Sequence, residues 1–495
     1  MGYPLARMSA GAVLEIFGQA WPYAAAGLSV GLSLLASAHA VLFKRDPRSA
    51  VLWGGLAWLL PLVGAVLYFM LGVNRIRRRA LRLRPDPART PRPHAPEGCP
   101  AETLAEHLPP QQRHLATLAA LVDRVVGRPL LPGNRLEPLV NGDAAYPAML
   151  AAIAAAQRSI ALSTYIFDRD EAGLAFARAL GDAVRRGVAV RVLIDATGLR
   201  YSWPSILGDL RRAGVPCARF LPAFPFGRLL TINLRNHRKL LIVDGRVGFT
   251  GGLNIRIGHC VNRAPRHPVR DLHFRVEGPV VAQLQEAFAE DWQFTTGEAL
   301  AGEAWLPPLN CAGPVFARGI PDGPDEDFEV LRWTLLGALA VACESVRVMT
   351  PYFLPDAALI SALNLAALRG VAVDILLPGQ NNLPFVHWAS QAHWWQVLER
   401  GCRLWLSPPP FDHSKLFVVD EGWALVGSTN WDPRSLRLNF EYNVECYDPA
   451  LAGQLAAWFD ERRAVASPVT LAEVDARALS VRLRDGLARL LTPYL

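Results

Sequence analysis

Lysine is nearly missing from this chain: of 51 basic residues only Lys44, Lys239 and Lys415 are lysine, and the other 48 are arginine. A lysine that persists against such a bias marks a place where an ammonium is wanted in preference to a guanidinium. Cysteine is sparse and scattered. The seven, at 99, 217, 260, 311, 343, 402 and 446, form no C-x-x-C pair and no clustered Cys/His spacing. That excludes a disulfide scaffold and a zinc module, and it fits a reducing compartment in which cysteines act as small core residues. Charged residues make up only 19% against 51% hydrophobic, which excludes global disorder. The 39 glycines and 39 prolines follow no period, which excludes a fibrous protein. No dense carboxylate cluster is present to hold magnesium or calcium.

What is there points first to a membrane. The 495 residues suffice for two or three domains. The mean hydropathy of +0.18 is high for a soluble chain, and the net charge of +7 favours anionic partners, nucleic acid and lipid headgroups alike. Two uncharged apolar stretches, Ile16 to Phe43 and Val51 to Val73, are each long enough for the roughly 20 residues that cross a hydrocarbon core. Lys44-Arg45-Asp46-Pro47-Arg48 separates them, and Arg75, Arg77, Arg78, Arg79, Arg82 and Arg84 follow. The positive-inside rule then predicts a hairpin that leaves everything after residue 74 in the cytoplasm. Ala38-His39-Ala40 has the form of a signal cleavage site, but Glu15, the long lead and the second apolar stretch speak against removal. Trp21, Tyr23, Trp53, Trp58 and Tyr68 suit interfacial belts or packing, and Pro61 invites a kink or a re-entrant second segment. Prolines crowd residues 85–112, which read as a linker.

Beyond the linker the periodicity is α/β. Ala144 to Gln157 reads as helix, Ser159 to Phe167 as strand, Glu171 to Arg186 as helix and Val188 to Asp195 as buried strand. The order recurs as Glu329 to Cys343, Ser345 to Phe353, Pro355 to Arg369 and Val371 to Leu377. Arg186-Gly187-Val188-Ala189-Val190 returns as Arg369-Gly370-Val371-Ala372-Val373, and Tyr165 is matched by Tyr352. So long a period indicates a duplicated domain and not a solenoid.

The second repeat carries chemistry. His237-Arg238-Lys239, then Asp244, then Gly251-Gly252-Leu253-Asn254 is matched, spacing for spacing, by His413-Ser414-Lys415, Asp420 and Gly427-Ser428-Thr429-Asn430. Two of the three lysines sit in these segments. The apolar runs Leu240 to Val243 and Leu416 to Val419 predict β-strands, so residues i and i+2 project His and Lys together. Asp244-Gly245 and Asp420-Glu421-Gly422 predict turns, after which a partner strand returns Asn254 or Asn430 beside each pair.

These paired segments resemble the HKD motifs of the phospholipase D superfamily. The hairpin, the arginine cluster, Asn236-His237-Arg238-Lys239, Phe249-Thr250-Gly251-Gly252 and Asn439-Phe440-Glu441 are similar to its bacterial cardiolipin synthase branch, from about residue 40 to the C-terminus. The superfamily usually has Ser where Gly252 stands, a departure common in the first motif of the synthases. The resemblance implies an α/β fold of two tandem phospholipase D-like α/β/α domains related by pseudo-twofold symmetry, preceded by an N-terminal transmembrane helical hairpin. Residues 1–84 would hold the hairpin and basic juxtamembrane segment, 85–112 the linker, 113–310 the first domain and 311–495 the second.

A phosphodiester resists attack unless cations surround its oxygens, a nucleophile is at hand and a proton reaches the leaving alkoxide. The candidate catalytic residues are His237, Lys239, Asp244, His413, Lys415 and Asp420, with the two aspartates expected to brace the motif by pairing within the fold. Asn254, Asn430 and Ser428 are supporting candidates. Asp271 and Glu441 are the candidates to orient the far nitrogen of a histidine. The resemblance favours His237 as nucleophile and implies phosphatidyl transfer between two phosphatidylglycerols through a phosphohistidine, giving cardiolipin and glycerol. Phospholipid and the bilayer are the expected partners, not nucleic acid, and the expected place is the bacterial inner membrane, multi-pass, with cytoplasmic catalytic domains. No metal or cofactor is called for, because the lysines neutralise charge. A hydrolase or nuclease with water as acceptor uses the same residues, and a non-catalytic membrane scaffold is the reading from another class. Phe220, Phe224, Phe226, Leu229 and Leu230, and Trp388, Trp394 and Trp395, precede the two motifs and suit either lipid contact or core. His39, His94, His107, His114, His259, His267, His387 and His393 read as loop or packing residues, and His273 stands close to Asp271.

Overall fold

The computed structural model describes residues 10–44, 47–72, 98–221, 234–324, 329–490 and 492. The arginines at 75–84, the linker as far as residue 97, and Phe224, Phe226, Leu229 and Leu230 lie outside the described residues. The chain divides into an N-terminal unit and a larger unit that carries both motifs.

In the N-terminal unit the first apolar stretch forms one helix, Ala10–Phe43, of which Ala20–Phe43 is long and apolar enough to cross a bilayer. The second stretch does not form the continuous span expected. Helix Pro47–Leu59 has 13 residues, about 20 Å at about 1.5 Å each, against about 30 Å of hydrocarbon. Pro61 has no N–H to continue it, and Leu62 turns the chain at φ 64° before the short helix Val63–Leu67 and the π-helical turn Tyr68–Gly72. Gly64 allows that turn, since a Cβ there would lie 2.1 Å from the Leu56 carbonyl oxygen. Small residues line the packed seam: Ala36, Ala40, Ala57 and Ala65 are buried, and Ser33 Oγ donates to the Ala57 carbonyl at 2.6 Å. Trp53 and Tyr68 belong to this seam, whereas Trp21, Tyr23 and Trp58 are exposed.

In the larger unit the two repeats merge into one 16-stranded sheet. From one edge it runs 467–469, 403–407, 372–378, 345–349, 416–419, 423–427 and 439–447, then 315–322 and 131–140, then 272–277, 247–251, 240–243, 159–164, 189–195 and 217–220, and the sixteenth strand, Arg235–Asn236, pairs off this path with 439–447. The order reads nearly the same from either end, which is the pseudo-twofold in strand form. Both halves carry parallel β-α-β units, Ser159–Thr164 beside Ala189–Asp195 and Ser345–Met349 beside Ala372–Pro378. Their near-continuous apolar runs follow from burial on both faces. Ile160, Leu162, Val190, Val192, Leu241 and Val243 point into the core beneath helices Asn141–Ala155 and Glu171–Arg185. Ala161, Leu193, Leu240 and Ile242, of the other parity, are buried as well, and helix Val281–Thr296 packs against these strands.

Helices Ala101–His107 and Leu115–Val126 lie in the core of the second half: Leu104, Leu108, Leu115, Leu118 and Val122 pack with Leu331, Leu335, Val346 and Leu363. Residues 113–126, assigned to the first domain on sequence, therefore give their apolar face to the second.

Each motif strand ends in the turn expected, with positive φ at both central residues: 52° and 60° at Asp244 and Gly245, and 50° and 48° at Asp420 and Glu421. The aspartates act as braces. Asp244 accepts from the N–H groups of Gln157, Arg158 and Ser159, and Asp420 from those of Cys343, Glu344 and Ser345 at 2.8 Å each. Both carboxylates thus collect the loose amides between a helix end and the following strand. Some 13 Å of strand separates both carboxylates from the lysines. His114, read as a loop or packing residue, joins the second brace with Nε2 2.7 Å from Asp420 Oδ2. Asp420→Ala removes the acceptor of three amides at once and should lower stability by about 3 kcal/mol or more in a denaturant titration; an unchanged midpoint would refute the brace.

Candidate active site

The two motifs meet through an exchange between the halves. Arg235–Asn236 pairs in parallel with Asn439–Phe440, and His237 N donates to the Phe440 carbonyl at 2.9 Å. Reciprocally, Phe411–Asp412 pairs in parallel with Val269–Arg270, and His413 N donates to the Arg270 carbonyl at 2.8 Å. In each case the next residue of the partner segment is a carboxylate. Glu441 Oε2 therefore stands 2.9 Å from His237 Nδ1, and Asp271 Oδ2 stands 2.7 Å from His413 Nδ1. Each histidine is oriented by the other half of the molecule. The far nitrogen Nε2 is left for chemistry.

The supporting contacts are not equal. Glu441 is held by Ser428 Oγ at 2.5 Å and Asn439 Nδ2 at 3.0 Å, and Arg238 Nε donates to its backbone carbonyl at 3.0 Å. Arg238 is itself fixed by Asp291 at 2.9 Å. Asp271 receives its own neighbour, Leu272 N, at 2.8 Å. Where the second motif has Ser428, the first has Gly252, and the structure gives the reason: a Cβ on residue 252 would lie 2.0 Å from Asp271 Oδ1. The shorter carboxylate approaches the backbone into space that glycine leaves open. Lys415 Nζ donates to the His413 carbonyl and also lies 2.9 Å from His413 Nδ1; Lys239 Nζ donates to the His237 carbonyl at 2.8 Å.

Both histidines and both lysines are buried, at 9% exposure or less. Burial pushes Lys239 down to about 7, with Glu441 opposing and Lys415 adding to the shift. Lys415 is pushed down to about 8, again by burial, opposed by Asp271 and Glu441. Burial likewise favours neutral imidazoles. It lowers His237 against the pull of Glu441, and it takes His413 well below the usual range, with Lys415, Lys239 and His237 acting in the same direction. Burial raises Asp271 despite Lys415 and opposes ionisation of Glu441, which His237 and Lys239 nevertheless hold below the usual range. The basic groups of the two halves feel one another, Lys239 and His237 responding to Lys415 and His413 to Lys239 and His237, which makes this a single coupled site.

Among the supporting candidates, Asn254 Oδ1 accepts from Ile166 N at 3.1 Å and Asn430 Nδ2 donates to Ser435 Oγ at 3.2 Å, so both amides hold neighbouring chain. Tyr165 and Tyr352, noted on sequence only as repeat markers, stand against the histidines, with ring centroids 5.2 Å from His237 and 6.2 Å from His413. The matched position after each first strand was the signal for them. His259, read as a loop or packing residue, accepts from the backbone N–H of Asn254 at Nε2, 3.4 Å away. Phe220 and Trp394 are core residues, while Trp395 is exposed.

The family model described as "Cardiolipin synthase, PLD-like domain" matches residues 149–292 and 335–463, one segment for each half. The chain belongs to this phospholipase D-like family. A second model, "Phospholipase_D-nuclease N-terminal", matches residues 31–72. Relatives of the family include a cardiolipin synthase of Geobacillus kaustophilus, 34% identical over 92% of this chain and 90% of its own length. Cardiolipin synthase A of Pseudomonas aeruginosa is 33% identical over 94% of this chain and 96% of its own. Among solved structures, the phosphatidylserine synthase of Haemophilus influenzae superposes with a TM-score of 0.60 at 14% identity, covering 77% of this chain and all of that one, which shows the fold.

The inequality between the half-sites is testable. Gly252→Ser should displace Asp271 and lower turnover on the order of 100-fold, whereas Ser428→Gly, which removes one hydrogen bond from Glu441, should cost about 10-fold or less; equal losses would contradict the close approach. Buried lysines poised near neutrality also predict that a bound tetrahedral oxyanion raises their pKa. Inorganic vanadate or phosphate should then bind with proton uptake and more weakly as pH rises from about 6 to 9. Calorimetry in buffers of different ionisation enthalpy reads this directly, and a pH-independent affinity would contradict it.

Proposed function

We propose that the protein is a membrane-anchored cardiolipin synthase that transfers a phosphatidyl group from one phosphatidylglycerol to another. The observation that carries the proposal is the convergence of two His/Lys pairs, each histidine oriented by a carboxylate from the opposite half. Full-length similarity to cardiolipin synthases supports the choice of substrate.

In the proposed reaction Lys239 and Lys415 hold the non-bridging phosphate oxygens. His237 gives its Nδ1 proton to a hydrogen bond with Glu441, and its Nε2 lone pair attacks phosphorus. The bond from phosphorus to the glycerol oxygen breaks, and that oxygen takes the Nε2 proton of His413, which enters the step as the imidazolium because the negative charge of the bound phosphodiester offsets the burial that otherwise keeps it neutral. Glycerol leaves. The hydroxyl of a second phosphatidylglycerol then returns its proton to His413 and attacks phosphorus, the P–N bond breaks, and cardiolipin departs with both histidines restored. The uneven half-sites support this division of labour. The anchored Glu441 suits a nucleophile that must stay aimed, and the Lys415 ammonium beside His413 Nδ1 suits a histidine that must give up a proton. The arginines after the apolar segment support a catalytic unit on the cytoplasmic face of a bacterial inner membrane.

Membranes carrying the protein should convert phosphatidylglycerol to cardiolipin and glycerol without added nucleotide or metal. Phosphatidic acid as the only product, or a requirement for a CDP-activated donor, would overturn the assignment. His237→Ala should lose on the order of 10⁴-fold in turnover and fail to trap a labelled phosphatidyl group, and label retained in that variant would reassign the nucleophile.

A further inference from the structure

The C-terminal helix Leu479–Leu490 has its apolar side turned outward. Leu479, Leu483, Leu487 and Leu490 are 71%, 58%, 65% and 70% exposed, whereas the residues it buries are Asp485 and Ala488. At about 100° per residue the four leucines fall in a stripe about 80° wide on the side away from that buried pair. The helix is pinned by charge more than by apolar contact: Arg477 and Arg484 both pair with Asp485, at 2.9 and 2.7 Å, and Arg484 also lies 4.6 Å over the Trp388 ring. A surface helix ordinarily buries its leucines, so a leucine ridge held outward needs an occupant.

Charge indicates which. The helix's one acidic residue, Asp485, is buried and neutralised by two arginines. Arg482 and Arg489 are exposed on one flank of the ridge, and among the described residues neither is paired with a carboxylate. Leucine ridge and flanking guanidinium groups match an anionic lipid surface, with acyl chains for the one and phosphates for the other. The ridge is also coupled to the candidate site by packing. Ala488 belongs to a cluster with Leu354, Val386 and Ala389, against which Tyr352 packs, and Tyr352 stands against His413. Leu383 and Phe385, at the start of the segment that carries Val386, are exposed too, at 45% and 57%.

We propose that helix 479–490 is an interfacial helix that docks the rim of the site onto an anionic phospholipid bilayer, its leucine ridge in the acyl-chain boundary and Arg482 and Arg489 at the headgroups. The choice of a bilayer rests on the phospholipid reading of the site, and the test reads lipid contact and not turnover, so the two can fail separately. In the full chain, with the exposed cysteines replaced by Cys311→Ser and Cys343→Ser, an environment-sensitive fluorophore is attached at Leu483→Cys, Leu487→Cys or, as a control on helix Pro449–Ala464, Glu461→Cys. The unsubstituted background measures labelling of other cysteines. In vesicles of phosphatidylglycerol with brominated acyl chains, quenching at 483 and 487 should exceed that at 461 by about threefold or more, and should fall by about half or more in brominated phosphatidylcholine. Equal quenching at the three positions overturns the proposal, as does quenching at 483 and 487 that is indifferent to headgroup. Disulfide cross-linking of Leu483→Cys between copies without lipid quenching would assign the ridge to a second copy and overturn it as well.

Discussion

The site depends on one structural exchange, the pairing of each motif's entry segment with the other half's carboxylate strand. Because Arg235–Asn236 lies on Asn439–Phe440, and Phe411–Asp412 on Val269–Arg270, neither half contains a complete histidine–carboxylate pair. The charges obey the same rule. Lys239 is buried with Glu441 of the opposite half as its strongest favourable partner, and Lys415 has Asp271. A half folded alone would hold its lysine without that partner, and the ammonium form would be disfavoured further. Neither half can form the site without the other, and the continuous sheet through strands 131–140 and 315–322 frames the two together.

Duplication supplies symmetry, and small departures from it supply distinct roles. Glutamate on one side is longer than aspartate on the other by one methylene. The difference is absorbed where the carboxylate meets the preceding strand: Ser428 reaches Glu441 with a hydroxyl, and Gly252 yields its Cβ space to Asp271. Gly252 and Asp271 make sense only together, as do Ser428 and Glu441. A serine at 252 would restore the superfamily's letters and occupy the place of the carboxylate.

The local parts of this arrangement were legible in the sequence. Strands Leu240–Val243 and Leu416–Val419 and the turns after them lie where the apolar runs and turn residues placed them, because both signals act over a few residues. The crossing was not legible: Asp271 and Glu441 stood out as carboxylates near a motif, but nothing in their spacing assigns each to the other half's histidine, 142 and 204 residues away. His114 and Asp420, 306 residues apart, were hidden for the same reason. The bridging strand Leu131–Val140 contains Pro132, Gly133 and Pro138, letters that read as turn, and tertiary pairing on both sides overrides them. Hydropathy counted the second apolar stretch as a span because it sums letters, whereas one missing N–H at Pro61 ends the helix.

The scarcity of lysine acquires a physical meaning at this site. A guanidinium in water titrates above pH 12 and stays charged, so two of them buried side by side in an unliganded cleft would carry the full cost of desolvation and mutual repulsion. An ammonium can relieve that cost by releasing its proton, and burial has brought Lys239 to about 7 and Lys415 to about 8, where release is nearly free. An arriving phosphodiester reverses the balance: its negative charge draws protons back onto the lysines at the moment when cations are needed around phosphorus. Arginine serves as a fixed charge in the ion pairs of Arg238, Arg318 and Arg347. Two of the three lysines are kept where the charge can be conditional on the substrate.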